Sequence, residues 1–234
     1  MEKIKLSSRL LRCAEMVSKN SKIADIGTDH AYIPIYLTQN NTITHAIASD
    51  VKSGPLQNAI KNIEKYDLQN NIEARISDGT NEINENEADE IIIAGMGGNV
   101  ISNILEKCRW KNKNDKVFII NPMKYEERLR EFLYENGYKI TKETAVVCSG
   151  KVYSVMKVIY TGKKEKINPV EKYIGKMWEN ITPAEKSYIK KQIKNLNNHL
   201  KGAKSRCKTE KEKYFEGVIS SLKKFIHNEK DDAK

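Results

Sequence analysis

Residues 22–31 read Lys-Ile-Ala-Asp-Ile-Gly-Thr-Asp-His-Ala. Ile23, Ala24 and Ile26 spell a short buried strand, Gly27 marks a turn, and a helix is predicted from about Ala31. Asp25 and Asp29 flank the glycine. A strand that feeds a glycine turn and then a helix is where open α/β sheets hold nucleotide-like ligands.

The same grammar repeats outward from this stretch. Upstream, residues 6–18 fit a helix capped by Ser7 or Ser8, with Leu10, Ala14 and Val17 inward. Arg9 and Arg12 share one side of it, either as a solvated face or as phosphate contacts near a ligand mouth. Downstream, strands are predicted at 44–50, 72–77, 90–94 and 116–121, alternating with helices at 55–66, 99–108 and 125–136. The run Glu-Ile-Ile-Ile-Ala at 90–94 is apolar and β-branched, so it should be buried on both faces. Two strand-like runs, 138–148 and 152–160, lie at hairpin distance across Ser149-Gly150-Lys151. The prediction is an α/β, doubly wound, Rossmann-like parallel sheet with an antiparallel edge. Five β–α units closed by a hairpin match the class I methyltransferase sheet. A dehydrogenase would need a second catalytic domain, for which residues 161–234 are too short and too polar.

After residue 160 the pattern changes. A charged linker, 161–168, precedes Val170, Tyr173, Ile174, Met177, Trp178 and Ile181 at helical spacing. Thr182-Pro183 opens another helix, and Ile189, Ile193, Leu196, Leu200, Ala203 and Cys207 form a heptad seam. A second seam runs through Tyr214 or Phe215, Val218, Leu222 and Phe225, with Gly202 and the polar stretch 204–213 between the two. Two antiparallel helices are the economical reading, followed by a frayed tail at 228–234. The expected division is therefore 1–162 and an all-helical, coiled-coil-like domain at 163–234.

Charge separates the same two parts. Residues 1–160 hold 22 Lys/Arg against 21 Asp/Glu, whereas 161–234 hold 19 against 10. A basic appendage on a near-neutral core points to a polyanionic partner. Lys186, Lys190, Lys191, Lys194, Lys201, Lys204, Arg206 and Lys208 are the candidate phosphate contacts, together with Arg9 and Arg12. The competing use of such a hairpin is dimerisation; the reading favours a monomer. The four cysteines are scattered, without a C-x-x-C pair, which predicts a reducing compartment and neither a disulfide framework nor a metal site. No apolar run reaches the ~20 residues of a membrane span, and the N-terminus lacks the apolar core of a secretory signal. The expected location is cytoplasmic, away from membranes.

Four predicted strand ends carry acidic or glycine residues. The first turn has one glycine where a dinucleotide site has three, and it places Asp29 where a pyrophosphate would sit. A carboxylate repels phosphate but suits an ammonium. S-adenosyl-L-methionine has an ammonium, a ribose and an adenine, and no phosphate. Asp50, followed by Val51, stands where a carboxylate can accept both ribose hydroxyls. Asp78 and Gly79 would meet an adenine, and Gly95-Met96-Gly97-Gly98 would floor the pocket.

These motifs carry a resemblance. LSSRLLRCAEMV (6–17), IADIGTDHAYIPIYL (23–37), AIASDVKSGPLQNA (46–59), SDG (77–79), IIIAGMGG (91–98) and INP…LR…L…NGY (120–138) are similar to the bacterial tRNA (adenine-22-N1)-methyltransferase family. The resemblance covers most of 6–160. It implies a class I methyltransferase domain followed by a helical C-terminal domain, S-adenosyl-L-methionine as cofactor, and tRNA as partner. It places Gly27, Asp29 and His30 at the cofactor's methionine end, Asp50 at the ribose, Asp78 and Gly79 at the adenine, and Gly95, Met96 and Gly97 beneath. Asp29 would face the charge that develops on the methylated base, and Asn121 would hydrogen-bond the base edge. The chain has Asp50 where the family tends to show glutamate, and Ile-Asn-Pro at 120–122 where it tends to show Gln-Pro-Asn. Two other readings stand beside this one: a non-catalytic RNA-binding protein on the same fold, and a small-molecule or protein methyltransferase with an oligomerisation arm.

Overall fold

The computed structural model describes residues 3–113, 116–206 and 208–227. Seven strands form one sheet in the order β3-β2-β1-β4-β5-β7-β6. They are β1 Ser21–Ile26, β2 Ile43–Asp50, β3 Ile72–Ile76, β4 Glu90–Met96, β5 Val117–Pro122, β6 Tyr138–Cys148 and β7 Lys151–Tyr160. The first five are parallel to one another; β7 runs antiparallel beside β5, and β6 antiparallel beside β7. β1 sits between β2 and β4, so the order reverses at β1 and opens the crevice where such sheets hold ligands.

Side chains of one strand alternate between the two faces. Ile91 and Ile93 accordingly join a core built with α4 (Gly98–Lys107) and α5 (Glu126–Glu135), through Ile101, Leu105, Leu129 and Leu133. Ile92 faces the opposite core, built with α1 (Ser8–Ala14), α2 (Tyr32–Gln39) and α3 (Ser53–Lys65), through Ala14, Ile35, Leu37 and Ile63. Ile91, Ile92 and Ile93 are all fully buried, as the apolar run predicted. Ser7 is the cap of α1.

The helical tail has a third core. α6 is Pro169–Ile174, capped by Asn168; a 3-10 turn covers Met177–Glu179; α7 is Pro183–Lys204 and α8 Thr209–His227. Tyr173, Ile174, Ile189, Leu196, Val218, Ile219 and Leu222 are buried together, so the two seams do meet. Phe215 near the start of α8 stacks on His199 late in α7, while Phe225 near its end stacks on Trp178, just ahead of α7, so the two helices run antiparallel. Two expectations are corrected. The helical spacing over 170–181 does not make one helix, because α6 stops at Gly175 and the chain re-forms as a short 3-10 turn. The polar stretch 204–213 is not a connector: α8 starts at Thr209, and its first turn is simply solvated. Cys207 and the tail at 228–234 lie outside the described residues.

A polar junction built on one guanidinium with all its donors used joins the tail to the sheet, with Glu143 Oε2 buried and, among the described residues, without a hydrogen-bond partner. Arg130 of α5 is fully buried and donates to Glu143 of β6 (2.7 and 3.0 Å), to the carbonyls of Lys172 and Tyr173, and to the Tyr188 hydroxyl of α7. Glu185 completes a capping box with Thr182 and also accepts from the Ala145 N–H (2.7 Å) and the Thr144 hydroxyl (2.9 Å) of β6.

Candidate active-site cleft

Gly27 leaves β1 at φ +72°, and the loop then holds Asp29 at φ +50° and Ala31 at φ +55° before α2 begins. A Cβ on Gly27 would meet Met96 Cε, the end of a side chain that can shift, so it is the positive φ that favours glycine here. The Gly27 and Thr28 N–H groups both donate to Ser49 O, and those of His30 and Ala31 to Thr28 O. These four donors are used internally. The loop is therefore no N–H cradle for phosphate, in agreement with the single glycine and the acidic Asp29.

A cleft of about 320 Å³ opens at this loop, lined by Arg9, Leu10, Asp25, Gly27, Thr28, Asp29, His30, Tyr32, Ile33, Ala94 and Gly95. Its charged groups differ in freedom. The Asp29 side chain is 59% exposed and lies 3.5 Å from His30 Nε2, whose ring stacks on Tyr32. Asp25 is buried and receives the Thr28 hydroxyl at 2.6 Å. Burial pushes its carboxyl up to about 6, against the Thr28 hydrogen bond, with the nearby Asp50 charge adding to the rise. Arg9 donates through Nη1 to Asn121 Oδ1 (2.7 Å) and lies over the Tyr153 ring; among the described residues no carboxylate pairs with it.

The structure brings Gly27, Asp29, His30 and Gly95 of the expected site together on this cleft. Met96 and Gly97 follow directly, Met96 with its methyl against Gly27 and Gly97 capping α4. Asp50 ends β2, where it accepts the Lys52 N–H (2.8 Å), and the neighbouring Val51 is exposed. Asp78 and Gly79 follow β3, with Lys107 Nζ 3.7 Å from Asp78. These stand along the same C-terminal sheet edge, outside the cleft lining. Asn121 is placed differently from the expectation. It is fully buried, with its amide held by Arg9 at one end and by Ser154 O (2.7 Å) at the other, so it reaches the cleft through Arg9. Asp25 and Arg9 are the cleft residues that sequence reasoning passed over or gave to RNA; the signal was present, since both lie in the motifs quoted above.

The basic residues also divide. Lys190, Lys194, Lys201, Lys204, Arg206 and Lys208 are exposed, and Lys186 is half-buried. Lys191 instead ties α7 to the sheet region, donating to Glu126 Oε1 (2.7 Å) and Val152 O (3.3 Å). Lys204 pairs with Glu216 and Arg12 with Glu15 (3.0 Å). Among the described residues no helix is long and apolar enough to cross a membrane, and no three His, Cys, Asp or Glu gather as a metal site.

Known proteins share this arrangement. The family model described as "Methyltransferase domain" matches residues 6–156. A tRNA (adenine(22)-N(1))-methyltransferase of Bacillus subtilis (strain 168) is 38% identical over 156 residues, which span 67% of this chain and 66% of that relative. A Streptococcus pneumoniae protein solved in complex with S-adenosyl-L-methionine is 30% identical with a TM-score of 0.82, covering 95% of this chain and 100% of its own. The M. capricolum TrmK structure with S-adenosyl-homocysteine is 29% identical with a TM-score of 0.76, covering 94% and 97%. The structural likeness thus takes in the helical tail as well as the sheet. On these grounds the chain belongs to the bacterial tRNA (adenine(22)-N1)-methyltransferase family, a branch of the methyltransferase-domain proteins.

Proposed function

We propose that this chain transfers the methyl group of S-adenosyl-L-methionine to N1 of an adenine in tRNA, adenine 22 by family likeness. The observation that carries the reading is the charge character of the cleft. An exposed carboxylate, Asp29, and Arg9, which has no carboxylate partner among the described residues, face one cavity whose loop N–H groups are already used. That set fits the ammonium and carboxylate of an amino-acid end and rejects a phosphate. Asp50 then takes the ribose hydroxyls, and Asp78 with Gly79 the adenine. The cofactor supplies the methyl group on a sulfonium centre.

Adenine N1 carries a lone pair, so no residue needs to remove a proton from it. The chain's work is to hold the base in line, exclude water, and meet the positive charge that arrives on the ring. Asp29 and the buried Asp25 are the carboxylates placed for the last task. N1 is paired or stacked in folded tRNA, so the base must first be swung out, and the energy for this comes from binding elsewhere on the RNA. We assign that binding to residues 163–234, acting on the RNA backbone through the exposed lysines of α7, with residues 1–162 as the catalytic part. The working form is a cytoplasmic monomer.

The test is to incubate the protein with S-adenosyl-L-methionine and unmodified tRNA and to map reverse-transcription stops. N1-methyladenine blocks pairing, so a stop is expected in the D-arm. Full-length cDNA with no new stop sinks the reading.

A further inference from the structure

The β5–α5 loop carries a cluster that methyl transfer does not use. Tyr125 caps α5 at φ +61°, and its side chain is exposed. Lys124 Nζ lies 5.3 Å from the centre of its ring and Arg128 Cζ 4.9 Å. A bulky residue in the left-handed region is uncommon and strained, and here the residue stays 40% exposed. The strain is imposed from the cleft floor. Gly98 N–H donates to Lys124 O (2.8 Å), Met123 N–H donates to Met96 O (2.8 Å), and a Cβ on Gly98 would lie 2.5 Å from Tyr125 O. The backbone that carries the ring is thereby tied to Met96 and Gly98. Facing it, α7 contributes Gln192, Asn195 and His199, and the groove between holds about 310 Å³. Among the described residues Lys124 has no carboxylate partner, and Arg128 has a long 4.0 Å contact to Glu127.

We propose that this groove binds a tRNA nucleotide next to the target adenine, its base against Tyr125 and its phosphate on Lys124 and Arg128. The proposal rests on the tRNA reading above and deepens it. Swinging out one base leaves its neighbour without a stacking partner, and an aromatic ring flanked by cations replaces what was lost. The ring accepts any base, so the groove adds grip and register without reading sequence.

The test compares the full-length wild type with Tyr125→Gly, Tyr125→Phe and Lys124→Ala. Binding of an unmodified tRNA transcript, binding of S-adenosyl-L-homocysteine and thermal unfolding are each measured. Glycine relieves the backbone strain, so Tyr125→Gly should unfold no earlier than wild type. It should nonetheless bind tRNA about tenfold more weakly and raise the KM for tRNA, because a base loses its stacking surface. S-adenosyl-L-homocysteine affinity should not move, and Tyr125→Phe should recover tRNA affinity to within about twofold of wild type. Lys124→Ala should reduce the salt dependence of tRNA binding by about one counterion. Wild-type affinity for tRNA in Tyr125→Gly overturns the groove and leaves the methyltransferase reading intact. A wild type that binds no tRNA overturns both.

Discussion

The cleft and the Arg130 junction are both polar, and they use polarity in opposite ways. At the junction one buried guanidinium spends its donors on a carboxylate, two carbonyls and a hydroxyl. In the cleft, Arg9 has one side-chain acceptor, Asp25 has one hydroxyl, and Asp29 faces solvent across a left-handed turn. Saturation fixes a geometry; incompleteness leaves groups available to a ligand. The contrast separates structural polarity from functional polarity within one chain, and it can be broken at either end.

The largest effect is expected at the saturated end. Arg130→Met leaves Glu143 buried and uncompensated, which costs about 3–5 kcal/mol of unfolding free energy. Arg130→Met combined with Glu143→Leu should recover only the part due to the uncompensated charge, since the Lys172 and Tyr173 carbonyls still lose their donor. Denaturant unfolding measures both. A single substitution that costs under about 1 kcal/mol would mean the junction is not what holds the tail.

At the incomplete end the sign reverses. The Asp25 carboxyl sits near 6 in the folded chain against the ordinary 3.8. Between those values the folded chain keeps a proton that the unfolded chain has lost, so stability falls as pH rises from about 4 to about 6. Above that window the buried charge costs up to about 3 kcal/mol. Asp25→Asn should therefore stabilise the ligand-free protein by up to that amount at about pH 8 and by little at about pH 4. It should also weaken S-adenosyl-L-homocysteine binding. Gain of stability with undiminished affinity would remove Asp25 from the cofactor site.

The smallest effect on stability is expected from Lys190→Ala with Lys194→Ala, exposed positions whose loss should stay within about 0.5 kcal/mol. Their tRNA affinity should fall and its salt dependence should shrink by about two counterions, while cofactor binding holds. An unchanged salt slope assigns the lysines to a plain solvated face.

The sheet was legible because its signal is redundant. Ile91, Ile92 and Ile93 are β-branched and apolar together, and four strand ends carry a glycine or an acid. The C-terminal hairpin was legible for the same reason, through two seams of heptad spacing. What stayed hidden depends on tertiary neighbours. Arg130 lies on an amphipathic helix where arginine reads as solvent-facing, and β6, α6 and α7 make it a core residue. Lys191 sits among other lysines and is singled out by Glu126 and the Val152 carbonyl. Asn121 lies at a strand end, as a contact residue would, but its amide is already held by Arg9 and Ser154. Gly175 breaks a helical spacing that otherwise continues through Ile181.

The anchoring of α7 is one-sided. Glu185, Tyr188 and Lys191, within its first nine residues, make its hydrogen bonds to the sheet region. The 22-residue helix is a lever of about 33 Å pivoted at one end. A tilt of roughly 5° at the pivot swings the far tip by roughly 3 Å, about the length of a hydrogen bond. Arg130 and Glu185 therefore set the aim of Lys201, Lys204 and Arg206 without touching anything they touch. Under the proposed tRNA reading, a substitution at the pivot misdirects RNA while the chemistry of the cleft stays whole.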